Sequence, residues 1–108
     1  MTQASEVLQR LYATIVSRKG TPPDQSYTAS LFAGGPTLIC EKVMEEAGEA
    51  VVEGLKGDGP ALTRESADVL YHLMVLWAEH GVTPEDVYGE LQKREGVSGH
   101  VEKASRDK

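Results

Sequence analysis

An all-α bundle of four to five helices, completed by pairing with a second copy of itself, is the fold that this 108-residue sequence predicts. Three observations carry it. Apolar residues recur at three- and four-residue intervals, no stretch alternates Val, Ile or Thr with polar residues at period two, and glycines and prolines separate the periodic runs. The length allows one domain, 1–108, whose small aliphatic core leaves apolar surface for a homodimer to cover.

Val7, Leu8, Leu11, Tyr12, Ile15 and Val16 form the apolar face of a first helix. It should end near Arg18-Lys19-Gly20, where cations meet the negative end of the helix dipole. Two prolines and an acid make 20–26 a loop, and "SYTASLF" predicts one or two helical turns before Gly34-Gly35. A second helix should open at Pro36 and close at Lys56, with Gly57 as its terminator. The third starts at Pro60, or with Thr63 as its cap, and ends at Gly81. Thr83, Pro84, Glu85 and Asp86 mark the start of a fourth, which stops at Gly96. Residues 97–108 read as an irregular basic tail.

Composition narrows the function. With 11 basic and 17 acidic side chains the formal charge is −6, which argues against a nonspecific nucleic-acid binder held by phosphate contacts. The lone Cys40 rules out an intramolecular disulfide, suits a reducing compartment and reads as a small buried hydrophobe. No apolar run approaches the ~20 residues of a membrane span, and none resembles a signal peptide. A soluble cytoplasmic protein is expected.

"EKVMEEAGEAVVEGL", residues 41–55, is the informative stretch. At about 100° per residue, Ile39, Val43, Ala47 and Ala50 share one face of the second helix, and Glu46 and Glu49 flank that face on one side. Lys42 lies on the same flank, while Glu45 points further toward solvent. Like charges at i, i+3 repel on an exposed helix, and more strongly when desolvated. The third helix repeats the theme: Glu65 and Asp68 share a face with Val69, His72, Val75 and Leu76, and Leu70, Leu73, Met74 and Trp77 make the opposite side apolar as well. A helix apolar nearly all round is expected to be buried.

A short connection would make these helices antiparallel neighbours and bring Glu46, Glu49, Glu65 and Asp68 together. Hard oxygen ligands without cysteine favour magnesium or manganese over zinc. A single E-x-x-E is weak, since acidic helix faces are ordinarily solvated. Two pairs on adjacent apolar helices are harder to explain that way, and both readings stay open from the pattern. His72 reads as a satisfied core histidine rather than a ligand.

E-x-x-E followed by E-x-x-D resembles the signature of the all-α, MazG-like nucleotide pyrophosphatases. Within that group, "SYTASLF" (26–32), "KVMEEAGEAVV" (42–52), "ESADVLYHLMVL" (65–76) and "KREGVSGHVEKASR" (93–106) together resemble phosphoribosyl-ATP pyrophosphohydrolase, an enzyme family of histidine biosynthesis. The carboxylate pair is specific only to the superfamily; S-Y-T-A-x-L-F and the R-x-G-x-S-G-x-x-E-K tail are narrower. The resemblance implies magnesium-dependent hydrolysis of phosphoribosyl-ATP by a homodimer, with Glu46, Glu49, Glu65 and Asp68 holding the metal and Glu45 as a supporting group or general base. Arg18, Lys19, Lys42, Lys93, Arg94, Lys103 and Arg106 are then the cations available to substrate phosphates, and Ser26, Tyr27 and Ser30 the hydroxyls able to donate to phosphate or sugar. The alternatives are a nucleotide pyrophosphatase that clears other nucleoside triphosphates and a non-catalytic helical dimerisation module.

Overall fold

The computed structural model describes residues 6–96, and among them there is no strand. Four helices follow in chain order: α1 (Val7–Ser17), α2 (Tyr27–Lys56), α3 (Gly59–Glu79) and α4 (Pro84–Arg94), with one 3-10 turn at Pro23–Gln25 inside the expected loop. The basic tail at 97–108, with Lys103 and Arg106, lies outside the described residues.

The Gly34-Gly35-Pro36 run breaks α2 where the sequence places a boundary. Gly35 stands at φ 83°, ψ 179°, outside helical space, so the element is two arms, 27–34 and 36–56. Ser26 caps the first arm, its Oγ accepting from the Ala29 N–H at 3.1 Å. Pro36 opens the second, where a missing N–H is tolerated. The second arm ends at Gly57, whose φ of 74° lets its N–H reach the Gly54 carbonyl while the Asp58 N–H reaches that of Glu53, both at 3.2 Å.

Asp58 then caps α3, its carboxylate accepting from the Ala61 N–H at 3.0 Å. This corrects the start expected at Pro60 or Thr63. Thr63 lies inside the helix, and its hydroxyl donates to the Gly59 carbonyl at 2.9 Å. The link is so short that α2's second arm and α3 must run antiparallel, and α2 against α3 is the most extensive contact of the fold. Thr83 and Asp86 start α4 by exchanging side-chain and backbone hydrogen bonds at 2.9 and 3.1 Å.

The core gathers Ile15 of α1, Leu31 and Ile39 of α2, and Met74, Val75 and Ala78 of α3. Leu31 and Ile39 lie on opposite sides of the break, so the bend at Gly35 seats both arms on α3. The Tyr12 hydroxyl donates to the Val82 carbonyl at 2.7 Å, and Lys19 Nζ to the Ala78 carbonyl at 3.2 Å, fastening α1 and its following loop.

Two expectations fail for one reason. α3 is not buried all round: Met74 and Val75 are fully buried, but Leu70 is exposed and Leu73 and Trp77 are half-buried. Cys40 is exposed as well. A chain this small has too few helices to cover both faces of the α2–α3 hairpin.

The glycines give opposite predictions. Gly35→Ala should cost about 1–3 kcal/mol, since its φ 83°, ψ 179° backbone is essentially confined to glycine. Gly48→Ala adds its methyl to open space inside a helix and should stabilise by about 0.5–1 kcal/mol. Thermal unfolding followed by circular dichroism checks both, with the melting temperature falling in the first variant and rising in the second.

Candidate active site

The hairpin puts the acidic flanks of its two helices side by side. One carboxylate oxygen each from Glu46, Glu65 and Asp68 lie within 4.8 Å of one another, and Glu45, Glu46 and Glu49 form a second such trio. Glu46 belongs to both. The structure thus gathers the four carboxylates of the two sequence pairs and adds Glu45, which sits exposed at the rim with Lys42 Nζ 3.6 Å away.

This clustering shifts protonation. Partial burial raises the Glu46 carboxyl above its ordinary range, and the charges of Glu49, Asp68 and Glu45 add to the rise, while His72 opposes it. Glu65 is raised by burial first, then by a hydrogen bond with Glu49 and by the charges of Glu49, Asp68 and Glu46. A hydrogen bond between two carboxyl groups requires a proton on one of them. Glu65 Oε2 is also shielded from solvent and finds no donor among the described residues. Crowded acids with a shielded, donorless oxygen suit a cation, and an all-oxygen set suits a hard one.

Behind the carboxylates lies a polar layer. His72 is buried, with Nδ1 2.7 Å from the Asp68 carbonyl and Nε2 2.8 Å from the Tyr27 hydroxyl. It is the satisfied core histidine the sequence suggests. Thr28 and Tyr71 share a hydrogen bond beside it, and the Tyr27 and Tyr71 rings meet the imidazole edge-on at 5.8 and 5.6 Å. Sequence reasoning missed Thr28 and Tyr71. Thr28 is one residue past Tyr27 in a segment read only for its donors, and nothing local pairs it with a residue 43 positions away.

The remaining candidates divide. Tyr27 is brought near the cluster, since Lys42, Glu46 and Glu45 all act on its phenol. Ser26 is committed as a cap acceptor, and the Ser30 hydroxyl donates to the Tyr27 carbonyl. Lys19 is held elsewhere, its ammonium bonded to Ala78 and 5.3 Å from the centre of the Phe32 ring. Ala78 is ten residues beyond Asp68 on α3, or about 15 Å along the axis. Arg18 caps α1 on the same connection. Lys93 and Arg94 pair with Glu90 at 3.8 and 3.7 Å on α4. Lys42 contacts the cluster directly, through Glu45.

Comparison with known proteins places the whole chain among named relatives. A family model described as phosphoribosyl-ATP pyrophosphohydrolase matches residues 8–95. The phosphoribosyl-ATP pyrophosphatase of Paramagnetospirillum magneticum is 55% identical over 108 residues, covering 100% of this chain and 99% of that one. The protein of the same name from Dinoroseobacter shibae is 56% identical over 100 residues, 93% of this chain and 98% of its own length. That from Azospirillum brasilense is 53% identical over 103 residues, 95% and 93% of the two chains.

The raised carboxyls set the sign of a pH effect. Both groups have an ordinary value of 4.5, and above it the folded state keeps protons that the unfolded state has released. In the presence of a chelator, stability should therefore fall as pH rises from about 4.5 through the raised folded values. The expected melting temperature is higher near about pH 5 than near about pH 8, and Glu46→Gln or Glu65→Gln should raise it at the higher pH and flatten the profile. Calorimetric scans across that range provide the check.

Proposed function

The chain belongs to the phosphoribosyl-ATP pyrophosphohydrolase family, hydrolases of histidine biosynthesis that act on a phosphoanhydride, and from that premise we propose that its carboxylate cluster is the divalent-cation site of the reaction. The products are phosphoribosyl-AMP and pyrophosphate. One observation carries the proposal: neighbouring antiparallel helices contribute Glu46, Glu49, Glu65 and Asp68 to overlapping groups of carboxylate oxygens, with Glu46 and Glu65 pushed toward protonation.

A polyphosphate is repelled by such a cluster unless cations intervene. Glu46, Glu49, Glu65 and Asp68 would hold Mg²⁺, with Mn²⁺ as a substitute. When bound, the ion supplies a Lewis acid that orients and acidifies a water and offsets charge on the leaving pyrophosphate. Glu45, at the open rim with Lys42 Nζ 3.6 Å away, would serve as the general base toward the attacking water. Lys42 adds one positive charge for a substrate phosphate. Arg18, Lys19, Lys93 and Arg94 would reach the substrate only from outside the cluster, and Lys103 and Arg106 lie outside the described residues.

We assign the exposed stripe of Cys40, Met44, Val51 and Leu55 on α2 to a homodimer interface. The last three are 74, 61 and 85% exposed, which is unusual for side chains that size at helical spacing, and Leu62 and Leu70 of α3 are exposed too. Among the described residues no helix is long and apolar enough to cross a membrane. Cytoplasmic placement follows from the biosynthetic role.

Pyrophosphate release from phosphoribosyl-ATP, with and without Mg²⁺ and with ATP and a deoxynucleoside triphosphate in parallel, tests the reaction. Release should require magnesium and be confined to phosphoribosyl-ATP; release from the other nucleotides would point to a broader nucleotide pyrophosphatase. Glu46→Ala and Asp68→Ala should each lower turnover by about 100-fold or more while leaving helical circular dichroism intact. In sedimentation the wild type should run as a dimer and Leu55→Glu as a monomer.

A further inference from the structure

The open space at the carboxylates extends toward the α2–α3 turn. A cavity of about 540 Å³ is lined by Glu45, Gly48, Glu49, Val52 and Glu53 of α2 and by Glu65 of α3. Asp68 and Lys42 stand at the other end of the cluster, so the cavity lies on its turn side. That volume falls in the range of small-molecule sites, roughly 300–1,000 Å³.

Its floor and its walls differ in chemistry. Gly48 and Val52 form an apolar floor: a Cβ at Gly48 would meet nothing within 4 Å, and Val52 is 48% exposed. The walls are carboxylates, which repel a bare phosphate but accept hydrogen bonds from sugar hydroxyls and from the amino group of a purine. Such a space suits a nucleoside.

Helical phase puts a cation at the far end. At about 100° per residue, Lys56 falls on the flank of α2 that carries Glu45, Glu49 and Val52, and it is one turn beyond Val52. From Glu49 it is seven residues on, or about 10 Å along the axis. Lys56 is exposed and makes no ion pair among the described residues, although Glu53 is a turn away.

Phosphoribosyl-ATP is charged at both ends, with a triphosphate on one ribose, a single phosphate on the other and the adenine between them. Once its triphosphate is held through a cation at Glu46, Glu49, Glu65 and Asp68, the turn side offers the remainder an apolar floor and a terminal cation. We propose that Gly48 and Val52 seat the nucleoside and that Lys56 binds the phosphate of the second ribose, so that the substrate lies along α2 with this phosphate toward the turn. The inference rests on the substrate assignment above. It makes Lys56 the residue that distinguishes phosphoribosyl-ATP from ATP, which lacks the second phosphate.

The test compares a ligand that has this phosphate with one that does not. Equilibrium binding of phosphoribosyl-AMP and of ATP, each with Mg²⁺, is measured by calorimetry for the wild type, Lys56→Gln, Lys56→Arg and Gly48→Leu. Lys56→Gln should weaken phosphoribosyl-AMP about tenfold and leave ATP unchanged, and Lys56→Arg should restore most of the loss. Gly48→Leu fills the floor with a good helix former and should weaken both ligands about tenfold or more, while Mn²⁺ uptake at the carboxylates stays intact.

A lysine that merely offsets the dipole at the end of α2 would leave both affinities unchanged when replaced by glutamine. That result would overturn the role of Lys56, as would equal weakening of both ligands. Undiminished binding to Gly48→Leu would overturn the nucleoside seat. In each case magnesium-dependent turnover of phosphoribosyl-ATP by the wild type would still uphold the substrate assignment, whereas wild-type protein that neither binds phosphoribosyl-AMP nor turns over phosphoribosyl-ATP would remove both.

Discussion

Repulsion among like charges is the constraint around which this molecule is organised. Five carboxylates share one flank of the α2–α3 hairpin, with Lys42 as the cation recorded beside them. A solvated acidic face would spread its charges apart and leave them in water. Here Glu46 and Glu65 are partly withdrawn from water and pushed toward protonation, and one oxygen of Glu65 has no donor among the described residues. That arrangement is unfavourable as it stands, and a divalent cation would reverse it, since carboxylates that repel one another would then share an attraction.

The fold supplies what holds the charges in place. Two arms of α2 are seated on α3 because Gly35 adopts a backbone conformation that other residues resist, and the tight closure at Gly57 fixes the antiparallel register that sets Glu46 beside Glu65 and Asp68. The fully buried Ile15, Leu31, Ile39, Met74 and Val75 anchor both helices. The same bend serves a second purpose. It carries Tyr27 back to His72, so the segment before the glycines and the acidic segment after them border one approach.

Much of this was legible because it is local. The i, i+3 carboxylates, the Gly-Gly-Pro break, the Gly57 terminator and the Thr83 cap are each read from a few neighbouring residues, and the structure places them accordingly. Most of what escaped depends on distant partners; the Asp58 cap of α3 is the exception, since its Ala61 partner lies only three residues on. Lys19 looks like any surface cation, yet its ammonium is held by a carbonyl 59 positions away. Cys40 and Leu70 carry the hydropathy of buried residues; the short chain predicts that some apolar surface stays uncovered, but not that these residues carry it. The pairing of Tyr27 with His72 was hidden because the two lie 45 residues apart.

Manganese binding in the absence of any nucleotide, followed by electron paramagnetic resonance, addresses the central claim most directly, because it asks about the cluster without involving turnover. Wild-type protein should take up Mn²⁺, magnesium should displace it, and a variant combining Glu46→Gln with Asp68→Asn should lose the binding while keeping its helical content. No uptake by the wild type, or undiminished uptake by that variant, would contradict the account and leave the carboxylates as a crowded but inert surface.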